Sequence, residues 1–153
     1  MGTHHLAQVN VGRLRAPVDA PETAAFMAAL DPINALADAA PGFVWRLQTD
    51  EGNATSVSFN DDPMVIINMS VWESIEALSE FVYRTEHVDV IRRRAEWFHR
   101  SVEAYLALWW IPAGHLPSVE EAATRIAALR ADGPTAFAFT FRERFPAPIA
   151  MRQ

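Results

Sequence analysis

Apolar and polar residues follow two periodicities along this chain, one typical of strands and one typical of helices. From Leu6 to Leu14 the side chains alternate, as expected of a strand with two different faces. Near the C-terminus, Phe137, Phe139 and Phe141 alternate with small residues and predict a last strand. Three further apolar segments are predicted strands: Phe43–Gln48, Met64–Trp72 and Ala104–Ile111.

Capping sequences and breakers mark two of the three predicted helices. The spacing of a capping box at Asp19–Glu22 opens the first helix, which we expect to break near Pro32 and to end at Pro41. A second capping box, Ser118–Glu121, opens the third helix, and Asp132-Gly133-Pro134 closes it.

The remaining predicted helix lies between the third and fourth strands, with an irregularity expected near Thr85. Its apolar residues recur at helical spacing: Ile75, Leu78, Val82, Val88, Ile91, Ala95 and Phe98. A polar segment, Thr49–Pro63, has the composition of a long hairpin connection. The predicted order is β-α-β-β-α-β followed by α-β. We therefore predict an α+β, ferredoxin-like split βαβ fold with a C-terminal α-β extension, in a single domain of residues 1–153.

The two faces of the predicted sheet differ in polarity. One face is purely apolar: Ala7, Val9, Val11, Val65, Ile67, Met69 and Val71. The other mixes amides, a hydroxyl and an indole with aliphatic residues: Leu6, Gln8, Asn10, Ile66, Asn68, Ser70 and Trp72. We expect the apolar face to lie under the helices. The mixed face should be covered by a second subunit, the C-terminal extension or a ligand.

Aromatic residues on strands two and four add to the expected pocket. Trp45, Tyr105, Trp109 and Trp110 can form aromatic walls of the kind that small-molecule sites use, although their faces are not assigned by the pattern. The alternative is that these rings only fill the core and a dimer interface.

Composition excludes several kinds of chemistry. The 153 residues include neither Cys nor Lys, which excludes disulfides, thiolate metal sites and Schiff-base catalysis. A formal charge of −6 disfavours nucleic acid and anionic membranes as partners. No apolar segment approaches the length of a membrane span, so we expect a cytoplasmic protein. Familiar hydrolase and nucleotide-binding motifs are missing.

Histidines are the main candidates for catalysis. His87 lies at the edge of the apolar stripe of the second helix, where Tyr83 and Arg94 share its side. Such a group can act as a general base with a phenol donor and an anion clamp, or as a metal or haem ligand. An ordinary helix-edge histidine is the alternative. His115 lies in a turn stiffened by Pro and Gly, where a positioning role and a purely structural role both stay open.

Seven segments spread over nearly the whole chain are specific at the family level. They are Asn10–Pro17, DPINALADAAPGFVWRLQ, VWES, FVYRTEH, RRRAEWF, LWWIPAGHLP and GPTAFAFTFR. Together they resemble an uncharacterised bacterial family, known only as a domain of unknown function, in the dimeric α/β-barrel superfamily. The resemblance implies a homodimer whose two sheets face each other, each open sheet face lining a cavity. It also implies kinship with antibiotic-biosynthesis-type monooxygenases, although fold alone does not fix chemistry.

Other members of that superfamily degrade or bind haem. The resemblance to haem-degrading members would match Asn10 to an asparagine on their first strand. Phe81, however, stands where they have a tryptophan, and His87 comes earlier than their histidine. This departure counts against haem degradation, while haem binding through His87 stays an alternative to a protein without a cofactor.

Three functional hypotheses follow from the sequence. The first is an enzyme resembling cofactor-independent monooxygenases, in which Asn10 and Asn68 polarise a carbonyl and His87 takes a proton, helped by Tyr83 or Arg94. Its flat, largely apolar or aromatic substrate would contact Trp72, Gln8, Trp45, Trp109 and His115. The second is a non-catalytic dimer that binds haem or a metabolite, and the third is an interaction protein without a pocket.

Overall fold

The computed structural model describes residues 4–17, 19–48, 64–84, 94–99 and 105–148, with only the backbone of residues 84, 94 and 95. Within these ranges, four strands form an antiparallel sheet in the order β2-β3-β1-β4. The strands are β1 (His4–Arg13), β2 (Phe43–Arg46), β3 (Val65–Trp72) and β4 (Leu106–Pro112). The two central strands pair over all of β3, which lies opposite Leu6–Arg13 of β1. This topology confirms the predicted α+β split βαβ fold.

Four helices are described, of which three are long. They are α1 (Ala24–Asp38), α2 (Ile75–Arg84), the short α3 (Arg94–Trp97) and α4 (Val119–Asp132), with a single 3₁₀ turn at Pro21–Thr23 before α1. None of the helices in the described ranges has the length and apolarity required to cross a bilayer.

The start of α1 differs from the prediction. No side chain caps this helix, so the expected capping box at Asp19–Glu22 is wrong. The Thr23 hydroxyl instead donates a buried hydrogen bond of 3.1 Å to the carbonyl of Ala16, which fastens the preceding turn. The expected break near Pro32 is also wrong, because α1 continues through it. Packing of the following turn on the sheet, through Ile33 and Ala37, outweighs the hydrogen bond that a proline removes.

The predicted boundaries of α4 are confirmed. The Ser118 side chain accepts a hydrogen bond of 3.1 Å from the backbone N–H of Glu121, as an N-cap should. Gly133 follows the helix with a φ of 75°, and its N–H donates to the carbonyl of Leu129. Such a positive φ is the reason that a glycine stands at this position.

The predicted last strand is reduced to a single β-bridge. Phe139 exchanges two backbone hydrogen bonds of 2.8 Å with Leu108 at the outer edge of β4. This pair is an isolated bridge, and the described residues on either side of it do not extend it into a strand. Around that bridge the alternation still holds, since Ala138 and Phe139 are buried on opposite faces of the sheet. The C-terminal segment therefore covers one point of an edge that would otherwise be open.

The helices cover the sheet in the opposite way to our expectation. The apolar face packs against α4, through Ala122, Ile126 and Leu129. The mixed face lies under α1 and α2, where Leu6 and Trp72 belong to one buried cluster with residues of both helices. The prediction that the apolar face lies under the first two helices is wrong. Alternation separates the two faces of a strand, but which face a crossover helix covers is a property of the chain path.

This arrangement bears on the expected homodimer. We expected a second subunit, the C-terminal extension or a ligand to cover the mixed face. It is covered by helices and by C-terminal residues of the same chain. On the apolar face, Ala7, Val9 and Val71 are already fully buried within one chain. The homodimer itself stays a prediction.

Candidate functional site

A cavity of about 260 Å³ lies between the mixed face of the sheet and helices α1 and α2. Polar side chains of the two central strands form its floor: Gln8, Asn10, Asn68 and Ser70. Apolar side chains of the helices and of the strand ends form most of its walls: Phe26, Leu30, Ile33, Leu78, Phe81, Val82, Ile66 and Trp72. An apolar enclosure with a few convergent polar groups is the usual composition of a small-molecule site.

The polar floor is a continuous hydrogen-bonded ladder centred on Gln8, which is only 4% exposed. The Nε2 of Gln8 donates to Oδ1 of Asn68 and to Oγ of Ser70, both at 2.8 Å. Its Oε1 accepts from Nδ2 of Asn10 at 3.3 Å, and the same Nδ2 lies 3.4 Å from Oδ1 of Asn68. At the other end, Nε1 of Trp72 donates to Oγ of Ser70 at 2.8 Å. The three amides and the indole are thus oriented by one another.

Strand register explains why these side chains meet. In the β1–β3 pairing Gln8 lies opposite Ser70, and Asn10 lies opposite Asn68. Residues two apart on a strand share a face, so four polar side chains form a compact group without any contribution from loops. The sequence pattern placed these residues on one face, and the structure brings them together.

Trp72 forms the aromatic wall beside the ladder. Its ring stacks on Phe81 with centroids 5.2 Å apart, and it packs with Phe43 in an edge-to-face arrangement with centroids 5.3 Å apart. The Trp72 side chain is almost fully buried, and its indole N–H is satisfied by Ser70. The ring is therefore fixed in position before any ligand arrives.

The described part of the cavity wall contains a single charged residue, Arg46. Its Nε donates to Oδ1 of Asp38 at 2.7 Å and its Nη2 to Oδ2 at 3.2 Å, a bidentate pair. Neither a carboxylate nor a histidine lines the cavity among the described residues. Because the one cation is already paired, this lining suits a neutral, largely apolar ligand.

Tyr83 lies at the cavity wall where α2 meets the C-terminal segment. It is 54% exposed, and its ring meets Phe141 edge-on with centroids 5.8 Å apart. Arg144 holds the same segment by donating from Nε to the carbonyl of Phe141 at 2.9 Å. Phe141 and Arg46 are cavity residues that the sequence reasoning missed, because no periodicity links them to the polar face.

Three predicted substrate-binding residues lie away from the cavity, at the opposite face of the sheet. Trp109 is fully buried beside α4, and its Nε1 donates to Oε2 of Glu121 at 2.8 Å. Trp45 packs against the same apolar cluster. His115 contacts Oε1 of Glu121 through Nε2 at 2.7 Å. The structure thus joins His115 and Trp109 through a carboxylate, away from the polar ladder.

Glu121 is the residue that sequence reasoning treated only as part of a capping box. Burial by itself would raise the pKa of Glu121, but hydrogen bonds from His115 and Trp109 and the charges of His115 and Arg125 outweigh it. The pKa of Glu121 is therefore below its usual value. This carboxylate ties the turn before α4 to the sheet, which is a structural task.

Two predicted catalytic groups are not described by the structure. His87 lies outside the described residues, and of Arg94 only the backbone is described, at the first position of α3. Their predicted roles stay predictions. Asn10, Asn68, Gln8, Trp72 and Tyr83 are the members of the predicted site that do line one cavity.

The donor set bears on metal and haem. No group of three or more metal-ligating side chains occurs in the described ranges. Haem iron takes an axial His, Cys, Met or Tyr, and the described cavity wall offers only Tyr83 and Tyr105 of these types. His87, the ligand that the haem hypothesis requires, lies outside the described residues, so haem binding stays a prediction.

Comparison with known proteins places the chain in a family and finds distant likeness to solved structures. A protein from Nitrosomonas europaea, provisionally described as an antibiotic biosynthesis monooxygenase, superposes with a TM-score of 0.49 at 13% identity, over 77% of this chain and 97% of its own. PA3566 from Pseudomonas aeruginosa superposes with a TM-score of 0.48 at 17% identity, over 76% and 98% of the two chains. Rv0793 from Mycobacterium tuberculosis gives 0.48 at 15% identity, over 74% and 99%.

These structural likenesses are too distant to carry an argument about the reaction. No curated protein is significantly similar to this chain. Residues 5–153 match the model of a family described as a domain of unknown function, DUF3291, which covers nearly the whole sequence. The chain therefore belongs to the DUF3291 family.

Proposed function

We propose that this protein is a small-molecule enzyme similar to cofactor-independent monooxygenases, and that its substrate is flat, neutral and largely apolar. The observation that supports the proposal is the cavity itself, an apolar enclosure of about 260 Å³ over a floor of hydrogen-bonded amides. Burying such a floor would be costly unless the amides were satisfied or met a polar group of a ligand.

The ladder suggests how the substrate is held. Asn68 and Asn10 present amide atoms to the cavity, where they can polarise a carbonyl or stabilise an oxyanion. The mutually stacked rings of Trp72 and Phe81, both almost fully buried, give the cavity a rigid aromatic wall beside the ladder. His87 is the proposed proton acceptor, with Tyr83 or Arg94 assisting it. Once deprotonated, an aromatic phenol supplies the electrons that reduce oxygen, so one oxygen atom enters the product and the other leaves as water.

A second candidate function is non-catalytic binding of a metabolite. The observation that favours it is the absence of carboxylate and histidine side chains from the described cavity wall. Such a lining binds neutral molecules well but offers few groups for proton transfer. The third hypothesis, an interaction protein without a pocket, has no comparable support.

Homodimer formation remains part of the proposal. The described walls of the cavity come from one chain's own sheet, helices and C-terminal segment. The site should therefore bind its ligand with the same affinity in a monomer and in a dimer, which analytical ultracentrifugation combined with a binding titration can check.

The first experiment is native mass spectrometry of the purified protein for a retained small molecule. Oxygen consumption is then measured with a panel of polycyclic phenols that includes any compound found. Asn10→Ala and His87→Ala should abolish turnover, while Gln48→Ala, which removes an exposed amide outside the cavity, should not. Full turnover in both variants would overturn the assignment of the reaction to Asn10 and His87. Binding without oxygen consumption by any compound would support the second candidate instead.

Occupancy of the cavity can be tested separately with two alanines of α1. Ala29 lines the cavity, whereas the adjacent Ala28 is exposed. Ala29→Phe should fill the cavity and abolish retention of the ligand, and Ala28→Phe should leave it unchanged. Equal retention by the two variants would mean that the ligand binds elsewhere.

A further inference from the structure

We propose that Gln8 is a positioning residue that forces Asn10 and Asn68 to face the cavity with opposite hydrogen-bonding polarity, so that the site recognises a donor beside an acceptor on a flat neutral ligand. This inference rests on the proposed function, because it names the chemical class that the same cavity takes. Lactams and ortho-hydroxy carbonyl compounds belong to that class.

The argument begins with the bonds that Gln8 makes. Its amide is nearly fully buried and presents its two ends to different partners, donating to Asn68 and accepting from Asn10. An amide has donors on nitrogen only and acceptors on oxygen only. Asn68 must therefore turn its oxygen to Gln8, and Asn10 must turn its nitrogen there.

The opposite ends of the two asparagines remain for the cavity. Nδ2 of Asn68 and Oδ1 of Asn10 have no hydrogen-bond partner in the part of the chain that the structure describes, and both residues line the cavity. The floor thus offers one donor and one acceptor. Asn68 is exposed and Asn10 is half-buried, so both atoms face accessible space. A ligand that supplies only acceptors or only donors would displace water from one of these atoms without replacing its hydrogen bond, and would lose affinity.

Reversal of one amide alone is disfavoured. If Gln8 turned over, its nitrogen would meet the Asn10 nitrogen and its oxygen would meet the Asn68 oxygen, so both neighbours would have to turn as well. After that concerted reversal the floor would again present one donor and one acceptor, with the two asparagines exchanging roles. The complementary pair is therefore a property of Gln8 in either orientation.

Replacing the amide of Gln8 with a carboxylate removes the asymmetry. A carboxylate only accepts, so in Gln8→Glu both asparagines must donate to it, and both of their oxygens then face the cavity. The floor should change from one donor and one acceptor to two acceptors. The same charge change in Gln48→Glu, at an exposed amide outside the cavity, is the matched control.

The test uses two flat probes in calorimetric titrations. 2-Quinolone carries an N–H donor beside a carbonyl acceptor, and 2,3-diaminonaphthalene carries two adjacent amino donors. The wild-type protein and Gln48→Glu should both prefer 2-quinolone. In Gln8→Glu the ratio of the two affinities should shift toward the diamine by about tenfold, as expected for one lost hydrogen bond. In an Asn68→Ala background, Gln8→Glu should shift the ratio much less, because the reoriented amide is gone.

The outcomes separate this inference from the proposed function. If both probes bind and Ala29→Phe expels them, but Gln8→Glu leaves their affinity ratio unchanged, the positioning role of Gln8 is wrong and the cavity proposal survives. If neither probe binds to the wild-type protein, both proposals are overturned. Should the buried carboxylate prevent folding, Gln8→Leu provides the test. The two asparagines then keep only their long mutual contact of 3.4 Å, so the preference for 2-quinolone should weaken to a few-fold at most.

Discussion

The contact between Glu121 and Trp109 offers a quantitative test of how α4 is fastened to the apolar face of the sheet. Trp109 is fully buried, and its indole N–H finds its acceptor in Oε2 of Glu121 at 2.8 Å. The other oxygen of Glu121 contacts His115, whose side chain is 45% exposed. Replacing Glu121 with leucine would leave a buried donor without its acceptor.

The expected cost follows from these two contacts. An unsatisfied buried N–H costs about 1–3 kcal/mol, and the exposed pair with His115 contributes about 0–1 kcal/mol. Glu120 is exposed in the same first turn of α4, so Glu120→Leu removes an equal charge from the helix N-terminus without touching Trp109. We expect Glu121→Leu to lower the free energy of unfolding by about 2 kcal/mol more than Glu120→Leu does.

The assay is urea unfolding followed by far-ultraviolet circular dichroism, which does not depend on tryptophan emission. A double-mutant cycle with Trp109→Phe isolates the pair, and its coupling energy should be about 1–2 kcal/mol. A coupling below about 0.5 kcal/mol, or equal losses in Glu121→Leu and Glu120→Leu, would refute the view that this carboxylate fastens the helix.

Three further outcomes can be checked by similar unfolding measurements. The pKa of Glu121 in the folded protein is below its usual value of 4.5, so its charge should stabilise the fold above that value, and this stabilisation should be lost as the pH falls through the lower folded pKa. The stability gap between the wild type and Glu121→Gln should therefore shrink on acidification from neutral pH. Gly42→Ala should lower the free energy of unfolding by about 1–3 kcal/mol more than Gly114→Ala does. Both glycines have positive φ, but only at Gly42 would the new Cβ lie 2.5 Å from Cβ of Ala77. Equal losses in the two variants would contradict this contact. Ser118→Ala should cost about 1 kcal/mol by removing the N-cap of α4, and Ser118→Asp should restore it.

The candidate site shows how far pattern reasoning reaches into function. Alternation alone placed Gln8, Asn10, Asn68 and Trp72 on one face, and the structure gathers all four around one cavity. Alternation did not assign the faces of Trp109 and Trp45, which we expected to contact the substrate and which lie at the apolar face. Their faces depend on the register of β4 and on the irregular pairing of β2, where the register shifts between Phe43 and Trp45.

Some features had no local signal at all. Arg46 reaches the cavity wall because Asp38, at the end of α1, lies beside it in space. Phe141 reaches it because the C-terminal segment turns away from β4 after a single bridge. Such positions follow from the path of the chain between elements, which neither propensity nor periodicity encodes.

The sequence by itself determined the order of the elements, the split βαβ topology and the presence of one purely apolar and one mixed sheet face. These follow from short-range periodicity and from caps such as Ser118, which act within a few residues. Only the tertiary structure decided that α1 and α2 cover the mixed face and that α4 covers the apolar one. Which face each helix covers depends on how crossover connections return to the sheet, which is a long-range constraint on the chain path. The arrangement that results places the amide ladder in a cavity beneath the chain's own helices.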